Sequence, residues 1–314
     1  MWPDEVAALE LKRVLADLLG SGIREIQRAG GQHGVSHYRV VLRDGRTAFV
    51  KAAAPPGGSP AWPGEQDRPA AGSVFAAEAR GMRWLRAARA VRVPEVLACA
   101  DWALAIEWLP QQPPSRQAAE RFGQELAALH LAGADSFGAA WPGYIAGLPL
   151  GETCSGTWPQ WYAEQRLLPF ARLASSRGAL GHADVALVEA AADQTATLAG
   201  PPEPPSRIHG DCWAGNVLWS GGRCALIDPA AQGGHRESDL AMLALFGAPF
   251  LDQVLAAYQE AAPLAAGWRD RVPLHQLHPL LVHACLFGSA YREPVLQAAR
   301  SVLATAKRTG PPAG

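Results

Sequence analysis

The sequence predicts an α+β protein of two lobes, a small β-rich N-terminal lobe (1–109) and a larger, mainly helical C-terminal lobe (110–314). Three observations carry that prediction. Runs rich in Val, Phe and Tyr flank Asp44-Gly45 in the first third of the chain, and Asp-Gly between two such runs is a strong hairpin signal. A proline cluster, Pro110-Gln111-Gln112-Pro113-Pro114, then interrupts the chain, and proline lacks the N–H that a sheet ladder needs. Beyond it, apolar residues recur at helical spacing over most of the remaining length.

Taken in order, residues 4–19 place Val6, Leu9, Val14, Leu15, Leu18 and Leu19 at helical spacing, with Asp4 as N-cap and Gly20 as terminator. Gly30-Gly31-Gln32-His33-Gly34 reads as a flexible loop feeding a first strand over 38–42, which returns through the Asp-Gly turn into a strand over 47–51. Residues 52–73 are Ala, Pro and Gly with few large apolar groups, the composition of an exposed connection. A helix resumes at Ser73, with Phe75, Met82, Trp84 and Leu85 on its apolar side and Glu78 within it. Strands are expected over 91–100 and 104–109. Past the prolines, helices are expected over 115–132, 157–175, 182–199, 238–262 and 274–306, broken by a hairpin of 217–219 and 224–227 around Gly221-Gly222.

Composition narrows the function. With 28 Lys+Arg against 29 Asp+Glu the formal net charge is −1, which supplies no clustered cationic surface for nucleic acid. At 49% hydrophobic and 18% charged the chain can bury a large core. The longest uncharged stretch near the C-terminus, 274–291, carries His275, His278 and His283, which a bilayer core tolerates poorly, so it reads as a buried helix. His283 on it reads as a core residue. The acidic N-terminus does not resemble a secretory signal. Cys99, Cys154, Cys212, Cys224 and Cys285 are scattered, odd in number and never paired as C-x-x-C; neither a disulfide framework nor a cysteine zinc site is expected, and the compartment reads as reducing cytosol.

The chemistry concentrates in Ile208-His209-Gly210-Asp211-Cys212-Trp213-Ala214-Gly215-Asn216, followed by Leu226-Ile227-Asp228-Pro229. An Asp on a tight loop, an Asn five residues on and an Asp after the next hairpin suit phosphoryl transfer, which needs a carboxylate to take the hydroxyl proton and hard oxygens for Mg²⁺. The Asp211-to-Asn216 spacing equals that of the kinase catalytic loop. In the N-terminal lobe, Lys51 at a strand end and Glu78 in the next helix suit a phosphate-binding cation and the anion that fixes it. Gly31 and Gly34 lie in a loop that could cover the triphosphate of ATP. Backbone groups of Glu107 and Leu109 could read an adenine edge, or be an ordinary strand end.

These residues resemble the fructosamine/ketosamine 3-kinases, a branch of the aminoglycoside-phosphotransferase-like kinase superfamily. The resemblance is carried by His209–Asn216, similar to the family's H-G-D-L-W-x-G-N, by Ile227-Asp228-Pro229-Ala230 and by Gly234-His235-Arg236-Glu237-Ser238-Asp239-Leu240-Ala241-Met242. Phe75–Ala79, Glu164-Gln165-Arg166-Leu167 and Leu286–Tyr291 also match it. It implies a bilobal protein-kinase-like fold and ATP-dependent phosphorylation of O3 in a ketosamine, free or on a glycated protein side chain, whose product then breaks down and frees the amine. Carried over, Asp211 is the catalytic base, Asn216 and Asp228 the Mg²⁺ ligands, Lys51 the phosphate-binding lysine and Glu78 its partner. Trp213 lines the acceptor pocket, and Arg236 and Asp239 brace the catalytic loop. Gln232-Gly233 stand where the family often has two tyrosines, and Gly147-Leu148-Pro149-Leu150 lacks a usual Gln; these departures concern the acceptor. The glycine loop lacks a cysteine that some members carry, so a disulfide dimer of that kind is not expected and a monomer is. Another small hydroxyl compound, such as an aminoglycoside or amino alcohol, is the alternative acceptor, and a nucleotide-binding pseudokinase the alternative without turnover.

Overall fold

The computed structural model describes residues 5–32, 34–53, 71–151 and 156–309. The expected connection over 52–73 falls almost wholly outside these residues, as do Asp4, His33 and Cys154. The chain opens with helix α1 (Glu5–Leu19), whose Leu11, Leu15 and Leu19 are buried. Leu9, expected on that apolar side, is 67% exposed instead, because the sheet meets the helix along the 11–15–19 row.

Five antiparallel strands follow: β1 (Ile23–Gln32), β2 (Val35–Leu42), β3 (Thr47–Ala52), β4 (Val96–Ala100) and β5 (Ala103–Glu107), in the order β1-β2-β3-β5-β4. The glycine segment is therefore the end of one strand and its turn into the next. It pairs Gly31 with Ser36 and does not feed the first strand as a free loop. Residues 91–95 also depart from the expected strand. They run toward the C-terminal lobe, where Arg92 bridges Ala225 and accepts from the N–H of Leu226 at 2.9 Å.

Alternation along the sheet assigns its faces. Val40, Leu42, Ala48, Val50, Ala103 and Ala105 pack on α1, while Phe49, Leu104 and Ile106 face the opposite way, into a core shared with α2 (Ala71–Ala87). That second core continues into α3 (Arg116–Leu131) through Phe122, Leu126 and Leu129, and into Leu226 and Tyr258.

The remaining elements are the short β6 (Tyr144–Ile145) and β7 (Leu148–Pro149), α4 (Trp158–Tyr162), a π-helical turn at Ala163–Leu167, α5 (Leu168–Ser176), α6 (His182–Ala192) and α7 (Thr195–Leu198). After them come β8 (Ser206–Ile208), β9 (Val217–Ser220), β10 (Arg223–Leu226), β11 (Gln232–Gly234), α8 (Glu237–Leu245), α9 (Leu251–Ala261), α10 (Trp268–Phe287) and α11 (Arg292–Thr309). Three expected long helices are each split, the one over 182–199 by a turn at Asp193-Gln194 between α6 and α7. Gly247, at φ +74°, separates α8 from α9, and Gly288, at φ +73°, separates α10 from α11. β9 and β10 form the expected hairpin, and β8 pairs with β11 to place Ile208 opposite Gln232 at the root of the 208–216 segment.

Candidate active site

β3 and α2 supply the first pair. Lys51 lies on the cleft face of β3, directly across from His37 on β2 and Leu104 on β5. Its ammonium donates to Glu78 Oε1 at 2.9 Å and lies 2.7 Å from Asp228 Oδ1. Burial opposes the charge on Lys51, but Asp228 and Glu78 outweigh it and hold the lysine above its ordinary value, so it stays protonated. Three of the sequence-derived site residues thus meet at one point.

The 208–216 segment is built from β8 outward. Gly210 sits at φ +81°, and a Cβ there would fall 2.3 Å from the carbonyl oxygen of Ala230, so only glycine fits. The Gly210 and His209 N–H groups donate to Asp239 Oδ1 at 2.9 Å and Oδ2 at 2.7 Å. Asp239 is buried but lies below the usual carboxylate range, because hydrogen bonds from His130 and the loop N–H outweigh desolvation. His130 in turn holds Tyr258 at 2.8 Å. His209 accepts from the Asp211 N–H at Nδ1 (3.3 Å), which leaves Nε2 protonated to donate to the Ile227 carbonyl at 2.9 Å. One neutral imidazole therefore ties the Asp211 strand end to the Asp228 strand end. Arg236 joins this bracing at its far end: its guanidinium hydrogen-bonds Tyr258, and also pairs with Glu203 at 2.6 and 2.8 Å and with the carbonyls of Ala262 and Pro263.

Asn216, on a short 3-10 turn, donates through Nδ2 to Asp211 Oδ2 at 2.9 Å and to the Asp228 carbonyl at 3.5 Å. Burial pushes the Asp211 carboxyl up to about 7, against the pull of that Asn216 hydrogen bond. Asp228 is a non-glycine residue at φ +54°, a left-handed backbone that typically costs ~1 kcal/mol or more and is found where surrounding structure over-determines it. With Nδ2 committed to Asp211, the Asn216 amide oxygen and the Asp228 carboxylate form a pair of hard oxygen donors, the set that suits Mg²⁺.

The glycines at the β1–β2 turn are required by geometry. Gly31 lies at φ +152°, with a Cβ position 2.6 Å from the Val35 carbonyl oxygen, and Gly34 at φ +78°. Glu107 spends its side chain on Arg92 at 2.9 Å and its N–H on the Glu95 carbonyl at 2.8 Å, and Leu109 is buried. Sequence reasoning missed the aromatic surface between them: Phe49, on the cleft face two residues before Lys51, lies 5.3 Å from His37 and 6.2 Å from Trp108 between ring centroids. The period of two in β3 would have placed Phe49 beside Lys51.

Trp213, two residues after Asp211, is 39% exposed and lies across Gly215, where a Cβ would come 2.3 Å from the indole. Its outer edge meets Phe246 at 6.2 Å and 78°. Behind the segment, Gln232 accepts from the Arg166 guanidinium, which also donates to the Leu150 carbonyl. Gly233 stands where a Cβ would fall 1.9 Å from the Ser136 carbonyl oxygen. The first departure thus replaces an aromatic ring with a buried amide–guanidinium contact, and the second admits a backbone crossing.

The family model for fructosamine kinase matches residues 64–305. The chain belongs to the fructosamine kinase family. It is 32% identical over 290 residues to the protein named probable ketoamine kinase in Escherichia coli strain K12, covering 90% of this chain and 94% of that one. A solved structure from Thermobifida fusca that carries the name fructosamine-3-kinase superposes with a TM-score of 0.85 at 53% identity, over 94% of this chain and 98% of the other. A macrolide 2′-phosphotransferase from Brachybacterium faecium shares the fold alone, with a TM-score of 0.60 at 16% identity over 92% of this chain and 97% of the other. The fold is thus the two-lobed, protein-kinase-like one, and the protein is a small-molecule kinase of the ketosamine-kinase type.

Proposed function

We propose that this chain transfers the γ-phosphoryl group of ATP to the O3 hydroxyl of a ketosamine, the first step in removing a sugar from an amine. The observation that carries the reading is the convergence of Lys51 and Asp228 at 2.7 Å with Asp211 and Asn216 at 2.9 Å, the two pairs joined by Asn216 at 3.5 Å from the Asp228 carbonyl. Asp211 takes the proton of the attacking hydroxyl. Lys51, fixed by Glu78, holds the α- and β-phosphates, and the Gly31–Gly34 turn closes over them. Phe49 and Trp108 offer flat faces to the base, whose edge is read by backbone groups of Glu107 and Leu109. Asn216 and Asp228 would hold Mg²⁺, which when bound neutralises charge on the phosphoryl oxygens. Trp213 sets one wall of the acceptor pocket, its flat apolar face suited to the carbon face of a sugar. The prolines after residue 109 act as the hinge between lobes 1–109 and 110–314. The acceptor is a free or protein-bound glycated amine, and the enzyme works as a cytoplasmic monomer.

A turnover screen with Mg²⁺-ATP over ribulosyl-, fructosyl- and erythrulosyl-amines tests this. Turnover is expected on at least one of them, with Asp211→Ala reducing kcat by about 10²–10⁴-fold, the usual contribution of a positioned base. Phosphorylation confined to an aminoglycoside control, or a wild-type rate in Asp211→Ala, would overturn it.

A further inference from the structure

Six large apolar side chains are exposed among the described residues, and three of them, Trp213 (39%), Phe246 (42%) and Phe287 (53%), adjoin one another through shared neighbours. Phe246 meets Trp213 on one side and His283 on the other, at 6.2 and 4.9 Å between centroids. His283 then meets Phe287 at 5.5 Å and Tyr291 at 4.8 Å. The result is a continuous aromatic ledge that starts two residues from Asp211 and runs out along the end of α10 onto the turn before α11. His283, expected to be a core residue, is half-buried and at the centre of it. An exposed apolar run that begins within the 208–216 segment itself has a ligand to cover.

We propose that this ledge is the subsite for the amine-bearing half of the acceptor, and that it selects ketosamines whose cationic secondary amine carries an apolar or aryl substituent. The inference rests on the ketosamine reading of the site. With O3 at Asp211 and the sugar against Trp213, the nitrogen lies a few bonds farther on and its substituent must leave past Phe246 and His283. None of the five ledge side chains is a carboxylate, so a cation here is met by ring faces, which favour an ammonium carrying hydrophobic bulk over a polycation. His283 donates from Nδ1 to the Pro279 carbonyl at 2.8 Å, leaving Nε2 as an acceptor for an ammonium N–H. Burial holds that imidazole below its ordinary value, which keeps the lone pair available at neutral pH.

The test uses adducts of one sugar with benzylamine, hexylamine and glycine, and measures kcat and KM separately. The wild-type protein is expected to favour the benzyl and hexyl adducts over the glycine adduct by about tenfold in kcat/KM, the scale of a cation–π contact plus ring burial. Phe246→Ala and Phe287→Ala are expected to cut that preference at least about fivefold through KM. Phe287→Leu and parallel thermal melts separate a lost ring from a lost fold. A wild-type preference near one, or a preference that survives both alanine variants, overturns the ledge. If no adduct is phosphorylated, the ketosamine reading falls by itself. The ledge is then judged by calorimetric titration with N-methylbenzylamine: weaker binding in Phe287→Ala sustains it, and equal or absent binding in both proteins overturns it.

Discussion

As the proposed base, Asp211 must be ionised to accept a proton, and burial has pushed its carboxyl up to about 7. The acceptor kcat/KM is therefore expected to rise with pH along a single acidic limb whose midpoint lies at or somewhat below 7, since a bound divalent cation favours the carboxylate. Asn216→Ala removes the hydrogen bond that pulls this value down, so its limb should shift to higher pH as its rate falls; a pH–rate profile of both proteins checks this. The polar residues were legible because their chemistry fixes their spacing. Asp211, Asn216 and Asp228 could be read as a set, and Lys51 and Glu78 joined them by position. The aromatic residues were not legible in the same way. Phe246 looks like any core residue until α8 ends at Gly247, as do Phe287 and Tyr291 until α10 ends at Gly288, and His283 was misread because its neighbours are these surface rings. His209 was visible as part of a motif, but its role in tying two strand ends depends on hydrogen bonds that no spacing announces.

At the scale of elements, α3 and α9 approach so closely that a Cβ on Gly123 would lie 2.3 Å from the Val254 carbonyl oxygen and 2.9 Å from the Tyr258 nitrogen. Helix propensity alone favours alanine over glycine by about 1 kcal/mol. The clash is with backbone and cannot be relieved by a rotamer, so Gly123→Ala is expected to destabilise the protein by about 1–3 kcal/mol net, measured by denaturant unfolding. Long amphipathic helices and the Asp-Gly hairpin were readable because period and turn chemistry agreed. β1 was not, because Ile23–Gln32 is a largely polar strand on the sheet edge with little alternation to detect. β8 and β11, at three residues each, are held by their pairing and by Asp239 and carry no local signal of their own.

For the molecule as a whole, burial is the main cause that holds four histidines of the C-terminal lobe below their ordinary value: His209, His278, His283 and His235, the last at about 3. The unfolded chain takes up protons at these positions as pH drops through about 6.5, while the folded chain does not. Stability is therefore expected to fall below that pH, each histidine adding up to about 1.4 kcal/mol per pH unit, and thermal melts between pH 7.5 and 5 will show it as a declining midpoint. The core that joins α2 to the C-terminal lobe has another consequence. Gly81 of α2 is packed so that a Cβ would sit 3.0 Å from Ala231, and Phe75 and Met82 belong to the same cluster as Leu226 and Tyr258. Protein kinases are commonly switched by swinging the helix that carries the lysine's glutamate partner. Here that helix is packed onto the C-terminal lobe, so in the proposed mechanism the Lys51–Glu78 pair stands ready before any substrate arrives and no swing of α2 is needed to form it.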